Sequence, residues 1–343
     1  MNPRSALGVA VVGGAILSGC FAFSFLGALH DPQPHQLPIA IVAPAAVRSA
    51  LNAELGSHAP GAFDLQAYPS LMAARSAVRA RNVDGAFVLE PHHADVLVAG
   101  AGGQAVVQTI EAAFGSVATG LHTPVVTRDV VPLGPGDPLG LSSFFLVLSV
   151  IISSVAVGAA VALGGRQTRI VERVAAVVSA SVAIGSVTTW SADGGLGALG
   201  GHPLALWGLT ILASLAVSSV TAGLAAIIGP AGAATSALVV VVLGLPATGG
   251  PVGLGSFLPA FFGPFHHSLP PGAALEAIRG TQYFSGHDVT GSVLVLVAWA
   301  ACGLALLGTT SSRLRRRIDV SATVSDSASA VPVMGDGGGT LAG

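Results

Sequence analysis

The residues able to do chemistry in this 343-residue chain are few, and their spacing limits what they can do. Histidines come as two adjacent pairs, His92-His93 and His266-His267. Neighbouring residues point in different directions on a helix or a strand, so an adjacent pair rarely supplies two ligands to one ion. No HExxH and no CxxC accompanies them, and such motifs are what bring zinc ligands together. Surface or interfacial histidines are expected, with no metal. The glycine-rich stretch Val98–Ala105 places Gly100, Gly102 and Gly103 out of step with G-x-G-x-x-G, so it reads as a tight strand-to-helix connection rather than a dinucleotide site. There is no G-x-S-x-G for a nucleophile elbow. All 14 basic residues are arginine, and without lysine the chain has no Walker A loop for nucleotide phosphates. No catalytic residue, cofactor or enzymatic activity of its own is expected.

Two polar motifs remain. "RQTRIVERV", residues 166–174, carries Arg166, Arg169, Glu172 and Arg173 in a short connection between apolar stretches. It serves either to hold the loop on one side of a membrane or to dock a partner. "PPGAALEAIRG" reads as a short helix ended by Gly280, with Glu276 and Arg279 three residues apart and able to pair on its surface.

These motifs sit in a chain built for lipid. Apolar residues make up 52% and charged residues 9%, against about 25% charged in a soluble domain; the mean hydropathy is +0.77. The net charge of −2 leaves no footprint for nucleic acid. Six apolar blocks are candidate spans. They lie at about Leu7–Leu29, Leu141–Leu163 and Val174–Trp190, in two halves of Leu204–Leu245 divided at Gly229-Pro230, and at about Val293–Leu307. One helix over the undivided run of roughly 40 residues would be about 60 Å long, twice the hydrocarbon thickness, hence the division. No Asp or Glu falls in the middle of a span, which argues against proton-coupled transport. The spans are rich in small residues, among them Ser149, Ser153, Ser154 and Gly158 in the second and Ser218, Ser219, Ala222 and Gly223 in the fourth. Such residues let helices approach closely, within a bundle or in a dimer.

Between the first two spans, "LPIAIV", "FDLQAY", "VDGAFVLE", "ADVLVAG" and "TPVVTRDVVPL" read as extended segments. Helices at "AAVRSALNAEL", "SLMAARSAVRARN" (Ser70 as N-cap) and "GQAVVQTIEAAFGSVA" alternate with them. That pattern predicts a small α/β domain. The fold expected is therefore an α-helical integral membrane protein with six transmembrane helices and a small α/β extracytoplasmic domain between helices 1 and 2. Its divisions are an N-terminal helix (1–30), the α/β domain (31–139), a five-helix membrane domain (140–310) and a disordered cytoplasmic tail (311–343). Within the membrane domain, about 249–286 is dense in Gly and Pro yet contains the apolar "SFLPAFF", with Phe257, Pro259, Phe261 and Phe262. It reads as a re-entrant or interfacial element.

Arginine placement sets the orientation. Arg4 precedes the first span, Arg166, Arg169 and Arg173 follow the second, and Arg313, Arg315, Arg316 and Arg317 follow the sixth, while Ser191–Pro203 has none. Both termini fall inside and 31–139 outside, with Trp190 and Trp207 flanking the arginine-free outer loop. Leu17-Ser18-Gly19-Cys20 matches a lipobox, but the apolar run continues past Cys20 to span length. The α/β domain falls outside on either reading of that cysteine.

The layout resembles the ABC-2-type permease superfamily of bacterial membrane proteins, most closely its YhgE/Pip-like (phage-infection-protein-like) branch. The strings that carry the resemblance are "LPIAIV", "ARSAVRARNVDGAFVLE" followed by "ADVLVAGAGG", "RDVVPLGPGDPLGLSSFFLVL" and "LPPGAALEAIRGTQYFSG", across roughly residues 7–310. The resemblance implies a permease subunit of an exporter in the bacterial cytoplasmic (inner) membrane, surrounded by lipids. It would form a homodimer or heterodimer and work with a separate ATP-binding cassette subunit. That subunit would dock at Arg166, Arg169, Glu172 and Arg173. The element carrying Phe257, Pro259, Phe261, Phe262, Glu276 and Arg279 would form part of an outer gate. The cargo would be apolar or amphipathic. The alternative expectation is a non-transporting membrane protein whose outer domain binds a partner or assists a secretion or envelope complex.

Overall fold

The break at Gly229-Pro230 organises the helical half of the chain. In the computed structural model, which describes residues 3–30, 32–164, 168–250 and 255–329 (backbone only for 3–11 and 310–329), Gly229 adopts φ 69°. The chain there turns from α7 (Pro203–Ile228) into α8 (Pro230–Ala237). A side chain resists that φ, and proline fits the first turn of the helix that follows. A π-helical turn, Leu238–Leu243, extends α8. The other long helices are α1 (Pro3–Leu29), α5 (Ser142–Gly164), α6 (Ile170–Thr189, prolonged by a π turn over Trp190–Gly195) and α11 (Thr290–Ser329). Among the described residues, six helical segments are long and apolar enough to cross a membrane. They coincide with the six expected.

Helix α7 is the hub, with most of its apolar stretch buried while that of α1 is almost wholly exposed. It packs on α5, α6, α8, α10 (Pro270–Tyr283) and α11. Close approach depends on glycines. A Cβ at Gly158 of α5 would run into Ser218 and Thr221 of α7, one at Gly223 into Leu306, and one at Gly303 of α11 into Ser219 and Val220. The hydroxyls on this hub pair across helices: Ser154 with Ser214 (2.8 Å), Ser181 with Ser218 (3.2 Å), Thr189 with Thr210 (3.1 Å) and Thr221 with Ser236 (2.6 Å). Most of the small residues singled out in the sequence are thus used inside the chain.

Between α1 and α5 the chain forms β1 (Leu37–Val42), α2 (Ala45–His58), β2 (Phe63–Ala67), α3 (Leu71–Arg79), β3 (Gly85–Leu89), β4 (Ala94–Val98), α4 (Gln104–Gly120) and β5 (Val125–Asp129). The sheet order is β2-β1-β3-β4-β5. Strands β3 and β4 are antiparallel and every other pairing is parallel. Alternation along β1 sends Leu37, Ile39 and Ile41 to one core with Phe87, Val96, Ile110 and Phe114, and Ala40 to the other with Val78, Val88 and Leu97. Ser70 caps α3 as expected, accepting from Ala73 N at 3.2 Å. The glycine-rich turn is a strand-to-helix connection, held by Asp129 Oδ1 accepting from Gly100 N and Val131 N, both at 3.0 Å.

Two element ends differ from those expected. A disordered tail is expected over 311–343, whereas α11 continues to Ser329. No glycine or proline occurs between Gly308 and Pro332 to stop it; residues 330–343 lie outside the described residues. The short helix expected to end at Gly280 is α10, Pro270–Tyr283. Gly280 is inside it, and Val289 and His287 O pack where a Cβ would stand, which requires glycine there.

Candidate functional site

The segment between α8 and α11 begins with two left-handed glycines, Gly249 (φ 79°) and Gly250 (φ 61°). It continues through a 3-10 turn at Gly255–Phe257, α9 (Gly263–Ser268) and α10. It holds the sheet domain from two sides. Phe257 enters the core that contains Phe87 and Phe114, while Phe284 enters the opposite one beside Val78 and Val88. Burying a side chain of this size contributes about 1.5–3 kcal/mol. Phe262 instead closes a small cluster with Ala28 at the end of α1. Pro259 is half-buried. Phe261 is 66% exposed, its ring against Phe262 and Phe265.

Between these two anchors lies a buried polar cluster. Arg81 Nη2 donates to Glu276 Oε2, joining the end of α3 to the middle of α10; both side chains are 11% exposed. The arginine also lies over the Phe284 ring, 5.1 Å from its centroid, in a cation–π position. His266, 2% exposed, donates from Nδ1 to Ala247 O at 2.8 Å and aims Nε2 at Glu276 Oε1, 3.5 Å away. That second distance is in the range of an ion pair but long for a hydrogen bond. Arg279 is buried one turn along α10 from Glu276. Tyr283 Oη donates to Asp137 Oδ2 at 3.3 Å, and Asp137 caps α5 by accepting from Leu141 N at 3.0 Å.

Local backbone explains how Arg81 gets there. Helix α3 ends in a Schellman arrangement: Asn82 N donates to Ala77 O at 3.0 Å and Arg81 N to Val78 O at 3.2 Å. Arg81 occupies the left-handed position, φ 62°, where glycine is usual. An arginine held in that conformation marks a place where the side chain is needed.

The electrostatics follow from burial and neighbours. Burial pushes the Glu276 carboxyl up, but Arg81, then His266 and Arg279, outweigh it and hold the group well below the ordinary carboxylate range. Burial pulls the Arg81 guanidinium down, and Glu276 more than compensates. Asp84 behaves oppositely: burial, with help from Glu276 and against Arg81, pushes its carboxyl up to about 7. Burial and Asp137 push the Tyr283 hydroxyl up to about 12. A cavity of about 10 Å³, lined by Val78, Arg81, Val83, Asp84 and Phe284 among others, lies beside the pair. It is about the size of one water molecule.

The arginine connection lies at the other end of the bundle. There α5, α6, α7 and α11 meet around Ala162, Val177, Ala222, Ala225 and Leu307. At the sheet-domain end Gln282 and His202 exchange hydrogen bonds at 3.1 and 3.2 Å. Arg169 and Glu172 are exposed and Arg173 is half-buried. Glu172 Oε2 accepts from Arg169 N at 2.9 Å, which starts α6 four residues before the expected Val174. Arg166 lies outside the described residues. Trp190 is 68% exposed, and Trp207 donates to Ser186 Oγ at 2.9 Å.

Three sequence expectations change at this site. Glu276 and Arg279 are not on a surface: both are buried, and Glu276 meets Arg81 and His266 instead. The His266-His267 pair is not wholly at a surface either, since His266 is buried while His267 is exposed. Lastly, Arg81, Asp84, Asp137 and Tyr283 belong to the cluster and were not foreseen. No sequence signal pointed to Arg81, which falls inside the helix expected over "SLMAARSAVRARN"; the structure ends α3 at Arg79. His93 lies 3.4 Å from Asp95 Oδ1, and no group of three or more metal-ligating side chains forms among the described residues.

No family model, no curated protein and no solved structure matches this chain.

Proposed function

We propose that the chain is the membrane permease subunit of an ABC-2-type exporter in the bacterial cytoplasmic membrane, moving an apolar or amphipathic substrate with a separate ATP-binding subunit. The observation that carries this reading is the unequal equipment of the two bundle ends. One end bears the sheet domain, joined to the α9–α10 segment through Arg81 and Glu276. The other bears the arginine connection with exposed Arg169 and half-buried Arg173. In this reading the arginine end is cytoplasmic, the sheet domain is outside, and a partner pressing on the α5–α6 connection shifts the packed bundle as a rigid body.

The test is purification of the full chain in mild detergent with identification of whatever stays bound. An ATP-binding subunit retained by the native chain and lost on replacing Arg166, Arg169 and Arg173 with alanine supports the reading. An intact, folded chain that retains none contradicts it. Cysteines placed along Ser191–Gly201 are expected to label from outside intact cells; labelling only after permeabilisation would reverse the orientation.

A second reading, a non-transporting protein whose outer domain binds a partner, draws support from β5. All five of its residues are exposed, and it stands at the edge of the sheet with β4 on one side. An open edge of this kind accepts an added strand, although Arg128 and Asp129 blunt it.

A further inference from the structure

The cluster around Arg81 contains a carboxylate that the Arg81–Glu276 contact does not use. Asp84 lies three residues after Arg81, at the start of β3, and lines the same water-sized cavity as Arg81 and Phe284. One wall of that cavity, Phe284, belongs to the turn after α10, and the others belong to the sheet domain. Asp84 is half-buried, and on the α10 side Phe284 closes the cavity that it lines, so an ionised carboxylate there has lost part of its water. It regains hydration most directly when the sheet domain lifts away from Phe284, since the walls belonging to its own domain move with it.

We propose that the contact between the sheet domain and α10 is a proton-sensitive latch, closed by Arg81 on Glu276 and loosened when Asp84 ionises. The geometry supplies both halves of the device. Removing the Phe284 wall exposes Asp84, and the same movement separates Arg81 from Glu276. Buried ionic contacts suit such use, because opening returns both charges to water and so offsets part of what the lost contact contributed.

The sign follows from linkage. Closed, the Asp84 carboxyl is raised to about 7 from an ordinary 3.8; open, it returns toward that ordinary value. The closed state therefore binds the proton more tightly, and its advantage falls as pH rises from about 4 to about 7. Other groups face the cluster. Asp84 faces Arg81 and Glu276, Arg81 faces Glu276, Asp84 and Asp288, and Glu276 faces His266, Arg279 and Arg81. His267 feels Glu276 and Asp288 from α9. His266 and His267 lie beside the same carboxylate, so the test must isolate Asp84.

The experiment uses the full chain in lipid nanodiscs, with Cys20 and Cys302 replaced by serine. Spin labels are placed at Asn52, exposed on α2, and Leu196, exposed beyond α6. The distance distribution is measured at pH 5 and pH 8. One population at pH 5 and a second, displaced population growing at pH 8 is the expected result. Asp84→Asn keeps the size and removes the ionisation; it is expected to stay in the pH 5 distribution at both values. Glu276→Gln is expected to show the displaced population at both. A wild-type distribution that is the same at pH 5 and pH 8 overturns the proposal. So does an Asp84→Asn protein that keeps the full wild-type response, which would place the responding group elsewhere. Neither outcome depends on the permease reading, because no substrate or ATPase enters the measurement.

Discussion

Arg81 and Glu276 are 195 residues apart in sequence, yet they form a largely buried ion pair that joins the sheet domain to α10. Removing one partner of such a pair leaves an uncompensated buried charge, which costs more than the pair contributes when intact. The cluster around it is correspondingly arranged: His266 faces the second oxygen of Glu276, and Phe284 covers Arg81.

The backbone at Arg81 makes a first prediction. Arg81→Gly and Arg81→Ala both remove the ion pair, but glycine relieves the φ of 62° and alanine does not. The glycine variant is expected to be more stable than the alanine variant by about 1 kcal/mol, with both less stable than the native chain. Thermal unfolding in one detergent ranks the three. Alanine equal to or above glycine would show that the left-handed conformation carries no strain.

Opposite pH dependences are expected from Glu276 and Tyr283. The Glu276 carboxyl is depressed, so its contribution is present above its ordinary value of 4.5 and is lost as pH falls through the folded value. Tyr283 is raised from 10.0 to about 12, so its contribution is lost as pH rises across that interval. Glu276→Gln should flatten the acid limb of a stability–pH profile and leave the alkaline limb alone. Tyr283→Phe should do the reverse.

Packing around α7 separates a large effect from a small one. Gly303→Val places methyl groups against Ser219 and the backbone of Val220, which is expected to cost about 1–3 kcal/mol. Ser214→Ala removes the hydrogen bond from Ser154 and is expected to cost only about 0.6 kcal/mol. Unfolding temperatures of the two variants test the order, and a larger loss from the serine than from the glycine would contradict it.

The sequence was most informative where a local signal decides the structure. Gly229-Pro230 divided a run too long for one span, Ser70 marked the start of α3, and the alternation in β1 set its two faces. It was least informative where residues distant in the chain meet. Glu276 and Arg279 look like a surface pair at helical spacing; only the fold brings Arg81 across to Glu276. His266 looked like an ordinary interfacial histidine because its partners, Ala247 O and Glu276, come from segments that fold over it. Helix α11 outran its apolar stretch because nothing before Pro332 stops it, which hydropathy does not register.

The joining of the sheet domain to α10 is tested most directly by a double-mutant cycle on Arg81→Met and Glu276→Gln. Met keeps much of the arginine's length without charge, and Gln keeps the shape of the carboxylate. The two residues are predicted to couple by at least about 1 kcal/mol, within the range for side chains in contact, with the double variant more stable than the sum of the single losses requires. Single losses that simply add, with no coupling, would mean that Arg81 and Glu276 do not hold the sheet domain to the helical bundle.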